Sequence, residues 1–156
     1  MKPETQKRLG DFQVGWEGIV TKVYRAIDNV DNYKPTFDGL LPAERVWFTV
    51  QSLIQFVDNG GLISFYYNSG ADHVTETIAD LNSIGATETA TLLNQINKLF
   101  PNSMPAKDVN NRNDVIVSWG GRHNKLLDEL DRKFSSQEEF LENKLVEHIV
   151  ANGLGR

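Results

Sequence analysis

Asn59-Gly60-Gly61-Leu62-Ile63-Ser64-Phe65-Tyr66-Tyr67-Asn68-Ser69-Gly70 sets a short aromatic run between two glycine- and asparagine-rich ends. Asn59-Gly60 closes one stretch of helical periodicity, and Ser69-Gly70 opens another. A paired glycine reaches backbone angles that a Cβ forbids, so the block reads as a structural joint between helices. Gly60 or Gly61 is expected at positive φ, letting the chain turn sharply. Outward from this joint, the periodicity is helical in both directions.

Upstream, Val46, Trp47, Val50, Leu53, Ile54 and Val57 recur at spacings of three and four. They predict a helix that opens near Pro42, a residue suited to a first helical turn, and ends at Asn59-Gly60. Before it, Val30 to Gly39 has the chemistry of a loop. A further helix is expected over about Thr5 to Asn29, with Leu9, Phe12, Trp16, Ile19, Val23 and Ile27 on one stripe. Phe48 and Phe56 lie off the main apolar face of the Pro42 helix, which fits burial on two sides or contact with another subunit, so a homodimer is a possible arrangement.

Downstream, Ser69 and Asp72 have the spacing of a capping box. Val74, Ile78 and Leu81 form the next apolar face, and Gly85 stands where a C′ glycine ends a helix. Ala90, Leu93, Ile96 and Leu99 or Phe100 mark another helix from about Thr87 to Phe100, stopped by Pro101. Residues 101–122 are rich in asparagine and carry the Gly120-Gly121 pair, and they read as an irregular loop. Val115-Ile116-Val117 within them is a candidate short strand, but an isolated strand has no sheet to join. Leu126, Leu127 and Leu130 begin a helical tail. Ser136 and Glu139 then suggest a second capping box ahead of Phe140, Leu141, Leu145 and Ile149, with Asn152-Gly153 as the end. The expected architecture is all-α: a single-domain irregular bundle of about six helices over residues 1–156.

A chain of 156 residues with 40% apolar and 24% charged residues has the make-up of a soluble globular protein. It contains no cysteine, which excludes a disulfide framework, a thiolate metal site and a thiol nucleophile. The N-terminus lacks the apolar run of a secretory signal, and no stretch suits a membrane span, so the expected compartment is the cytoplasm. The net charge is −5. Residues 1–45 carry seven bases and seven acids, and residues 98–156 carry nine of each. Between Arg45 and Lys98 there is no Lys or Arg, while Asp58, Asp72, Glu76, Asp80 and Glu88 all fall there. The imbalance thus sits in the middle third, which argues against direct nucleic-acid binding and for a basic protein partner.

Candidate chemistry is sparse. His73, His123 and His148 are scattered, and Asp72, His73 and Glu76 are at most a fragment of a metal site, so no metal or cofactor is expected. Ser118 ahead of Trp119-Gly120-Gly121-Arg122-His123 lacks the strand-turn-helix setting of a nucleophile elbow, so no catalytic residue is assigned and the chain is expected not to be an enzyme. Tyr66, Tyr67, Trp119 and Arg122 are candidate walls of a small-molecule or anion pocket between the joint and the Trp-Gly-Gly loop, although aromatics at such spacing more often belong to a core. Asp72, Glu76 and Asp80 stand at i, i+4 and i+8, about 6 Å apart along one helix. Each such like-charge pair costs a helix roughly a few tenths of a kcal/mol, and no Lys or Arg in that helix offsets them. The column is either a solvated face or a surface presenting carboxylates as DNA presents phosphates. It is the preferred partner-binding site.

The joint and its sequel also carry a family resemblance. Asn59-Gly60-Gly61, Phe65-Tyr66 and Asn68-Ser69-Gly70 are followed by Glu76-Thr77-Ile78-Ala79-Asp80-Leu81, Ile84-Gly85-Ala86 and Thr89-Ala90-Thr91-Leu92-Leu93. With Phe100-Pro101, Leu130-Asp131, Phe134, Glu139-Phe140-Leu141 and Leu145, the chain over about 43–150 resembles a bacterial family of unknown-function domains that includes an acidic DNA-mimic protein. The resemblance implies an all-α, often dimeric fold with no known catalytic residues. Through the DNA-mimic member, it also implies binding of a transcriptional regulator by acidic surface. The functional expectation is a protein that meets a basic partner, either a DNA-binding regulator or a toxin, through its acidic middle helix.

Overall fold

The computed structural model describes residues 36–154. The helix expected over about Thr5 to Asn29 and the loop up to residue 35 lie outside them. The described residues form six α-helices and no strand, an all-α irregular bundle: α1 (Pro42–Gly60), α2 (Leu62–Tyr67), α3 (Val74–Ser83), α4 (Thr87–Asn97), α5 (Val109–Ser118) and α6 (Asn124–Asn152). Short 3₁₀ turns occupy Thr36–Gly39, Ser69–His73 and Pro101–Ser103.

Helix α1 begins and ends where its sequence predicts. Pro42 sits at its start, and the Glu44 carboxylate accepts the orphan amide of Leu41 at 3.0 Å. Val46, Trp47, Val50, Leu53 and Ile54 are buried along one stripe. That stripe packs against α2, α3 and α6, which makes α1 the central element of the bundle. Helix α4 fills the remaining side, resting on α3 and α6.

Helix α3 ends in a Schellman arrangement. Gly85 has φ +81°, its amide donates to Asn82 O at 3.1 Å, and the Ala86 amide reaches Leu81 O at 2.9 Å. The start of α3 differs from the expected capping box. Ser69 makes no side-chain cap, residues 69–73 are a 3₁₀ turn, and the Asp72 carboxylate is engaged elsewhere.

Two larger departures lie downstream. Residues 101–122 are not an irregular loop, because α5 spans ten of them. The Asp108 carboxylate caps that helix by accepting the Asn111 amide at 2.9 Å. Its inward face is Arg112, Ile116 and, just past its end, Trp119, so an arginine stands where an apolar residue would have signalled a helix. Val115-Ile116-Val117, the candidate strand, is its last turn, with only Ile116 buried. The tail is also one continuous helix. Ser136 does not restart it; its hydroxyl donates to Lys133 O at 2.7 Å inside α6. Leu130, Phe134, Leu141, Leu145 and Ile149 run unbroken along the buried side, with no Gly or Pro to interrupt them.

Candidate functional site

The acidic column does not stand free. Asp80 is 1% exposed, and the Arg45 guanidinium from α1 grips it bidentately, Nη2 to Oδ1 at 2.5 Å and Nε to Oδ2 at 3.1 Å. The Thr49 hydroxyl donates to Oδ2 at 2.8 Å. The hydrogen bond to Asp80 binds the proton of Arg45 more firmly than usual, against the opposing effect of burial, and the charge of Glu76 adds to this. Asp80 is therefore an internal strut between α1 and α3 and presents nothing to a partner. Asp72 sits in the 3₁₀ turn rather than in α3, and its Oδ1 receives Arg112 Nη2 at 2.7 Å. Glu76 is half-buried. The charges that offset the column come from other helices, which spacing along α3 does not reveal.

Arg112 is fully buried and spends every donor group. Nε donates to Tyr66 O at 3.0 Å, Nη1 to Ala106 O and Lys107 O at 2.8 Å each, and Nη2 to Asn68 O at 2.8 Å as well as to Asp72. The bonds to Tyr66 O and Asn68 O satisfy carbonyls that the end of α2 leaves without helical partners, and the other two hold the 106–107 segment ahead of α5. A buried charge is tolerable when so fully bonded, and this one ties α5 to the turn below α2.

The four residues proposed to line a pocket do not form one. Tyr66 and Trp119 are buried core rings on either side of Phe100, at centroid distances of 5.6 and 5.1 Å. The Tyr66 hydroxyl donates to Asn97 Oδ1 at 2.7 Å, and burial pushes its proton affinity up, with the Arg112 charge pulling the other way. Tyr67 is exposed. Arg122 is exposed too, its Nε donating to Trp119 O at 3.1 Å. Gly120 and Gly121, at φ +55° and +84°, turn the chain from α5 into α6.

In the Asn59-Gly60-Gly61 joint, Asn59 is exposed and Gly60 ends α1. Gly61 carries the unusual conformation, φ +78° and ψ 179°. A Cβ on Gly61 would lie 2.7 Å from Asp131 Oδ2. The same carboxylate accepts the Leu62 amide at 2.8 Å, so α6 caps the start of α2.

Uncompensated negative charge gathers elsewhere. Asp58, near the end of α1, hydrogen-bonds to Glu138 of α6, and Glu142 stands one turn further along that helix. Among the described residues no Lys or Arg pairs with any of the three. The bond to Asp58, with partial burial and the charges of Asp58 and Glu142, pushes the Glu138 carboxyl up to about 7. Burial first, then Asp58 and Glu139, raises Glu142 as well. Asp58 and Glu138 are 80 positions apart, so their meeting leaves no local trace in the sequence.

A separate cavity of about 270 Å³ opens between α1 and the 3₁₀ turns at 36–39 and 69–73. Its aromatic lining includes Phe48 and Phe56, the two residues off the main face of α1. Among the described residues no group of three His, Asp or Glu side chains is placed to hold a metal ion, and no helix is long and apolar enough to cross a membrane.

A family model described as DMP19-like protein matches residues 38–152. No curated protein and no solved structure matches the chain.

Proposed function

The chain belongs to the DMP19-like protein family, and on that premise we propose that it is a non-enzymatic, cytoplasmic binding protein that takes a basic protein partner on an acidic surface. Membership makes it DNA-mimic-like. A DNA-mimic-like chain offers carboxylates where duplex DNA offers phosphates, so a DNA-binding regulator is the favoured partner, with a basic toxin as the other possibility.

The observation that supports this reading is the meeting of Asp58, Glu138 and Glu142 with no Lys or Arg paired to them among the described residues. Ordinary surface carboxylates have salt-bridge partners or are spread apart. Here Asp58, by hydrogen bond and by charge, makes the Glu138 carboxyl hold its proton more firmly than usual. Crowded like charges are costly in the free protein, and a partner's Lys or Arg relieves that cost on binding. Asp72 and Glu76, both half-buried, are further partner contacts in this reading, while the burial of Asp80 withdraws it from any surface role.

The test is affinity capture from source-cell lysate at low and high salt, using the full chain and its Glu138→Lys/Glu142→Lys variant. The expected result is a basic protein held at low salt, released at high salt and lost to the variant. Equal recovery by the variant would overturn the assignment of this surface.

A further inference from the structure

The cavity under Phe48 and Phe56 supports a more specific site. We propose that it receives a guanidinium group, the side chain of an arginine on the basic partner; the identity of the donor rests on the function proposed above, whereas the chemistry of the cavity does not.

The walls are aromatic. Phe37 and His73 lie parallel, 3.6 Å between centroids and 4° apart, and Phe48 meets Phe37 edge-on at 6.2 Å. Phe56 closes another side. Gly70 completes the lining where no other residue fits, since a Cβ there would stand 2.6 Å from the Phe65 ring and 2.8 Å from the Phe56 ring. At about 270 Å³ the space is slightly below the usual small-molecule range of roughly 300 Å³ upward. It suits one side-chain head group.

Asp72 supplies the charge. It lines the cavity, its side chain is 36% exposed, and Arg112 occupies Oδ1. An ionised carboxylate accepts in about four directions, so one buried donor leaves it further capacity. Among the described residues no Lys or Arg lines the cavity. Aromatic faces attract cations, and a guanidinium is flat, weakly hydrated and able to stack while donating in its own plane. Ser52, Gln55 and Ser69 add polar acceptors around the same space. An ammonium is more strongly hydrated and stacks less well, so arginine is favoured over lysine.

The experiment titrates the full chain with Nα-acetyl-arginine amide, followed by backbone amide resonances, alongside the neutral citrulline analogue. Saturable shifts confined to residues 36–39, 48–56 and 69–73 are expected, with citrulline at least tenfold weaker. Ser52→Phe fills the cavity from a helical position and should abolish the shifts while the thermal midpoint holds. Asp72→Asn, which still accepts a bond from Arg112, should weaken binding at least tenfold. Equal binding of citrulline overturns the cationic assignment, and binding unchanged in Ser52→Phe, or no saturable shift in the wild type, overturns the site. The comparison with citrulline needs no variant, so it stands even if a substitution unfolds the chain. Saturation by the arginine amide with no basic partner captured would discard the partner and leave the cavity. Capture without saturation would do the reverse.

Discussion

Arg112 Nη2 lies 2.7 Å from Asp72 Oδ1 across 40 positions of sequence, with the guanidinium wholly inside the protein and the carboxylate reaching the surface. The same guanidinium holds four backbone carbonyls of the α2 end and the 106–107 segment. Replacing it by Ala removes the donors of all four carbonyls, leaves Tyr66 O buried without that partner and empties the space the guanidinium fills, which should cost about 3 kcal/mol or more. Arg112→Lys should recover only part of that, because an ammonium cannot span the planar fork. Urea unfolding measures both, and a loss below about 1 kcal/mol for Arg112→Ala would refute the clasp.

Asp80 and Arg45 offer a contrast with ordinary surface charge. A solvated acid on a helix face loses almost nothing on mutation, within about 0.5 kcal/mol. Asp80→Ala instead takes a partner from the buried Thr49 hydroxyl and from Arg45, whose side chain is 36% exposed, and is expected to cost about 2 kcal/mol. A double-mutant cycle on Arg45 and Asp80 should give a coupling above the roughly 1 kcal/mol ceiling of exposed pairs. Coupling near zero would return Asp80 to the surface role that its spacing with Asp72 and Glu76 suggests.

These two pairs mark where local reading stops. Helices α1, α3 and α4 are legible because their signals are short-range: apolar residues at three and four, Pro42 at a start, Gly60 and Gly85 at ends. Positive φ in the Gly60-Gly61 pair is legible for the same reason. The burial of Asp80 is not, since Arg45 arrives from 35 positions away. Helix α5 is hidden by its asparagines and by an arginine on its inner face, and Ser136 mimics a helix start inside α6. For the candidate surface, residues 45–98 announce an acidic excess, but the meeting of Asp58 with Glu138 depends on how α1 and α6 pack.

Gly61 should be the least replaceable glycine of the joint. Its φ of +78° with ψ near 179° is a region almost confined to glycine, and an added Cβ would press on the Asp131 carboxylate at 2.7 Å. Gly61→Ala is expected to cost about 3 kcal/mol, combining strain with damage to the Leu62 cap. Gly85→Ala meets strain alone, because nothing lies within 4 Å of where its methyl group would stand, and should cost about 1 kcal/mol. Thermal or urea unfolding of the two variants decides the order, and equal losses would dismiss the contact with Asp131.

Glu138 makes stability depend on pH in an uncommon direction. In the folded chain its carboxyl is raised from 4.5 to about 7, chiefly by the hydrogen bond to Asp58. The folded state therefore holds the proton more tightly than the unfolded state does. Its stabilising contribution is complete below about pH 4.5 and is lost as pH rises through about 7. Melting midpoints of the wild type and Glu138→Gln should diverge over that window. The amide keeps a donor for Asp58 at every pH, so the variant should gain on the wild type as pH rises, most clearly above 7. Parallel profiles across the window would show that Asp58 does not make Glu138 hold its proton more firmly, and the acidic surface would lose the crowding on which partner binding is proposed to draw.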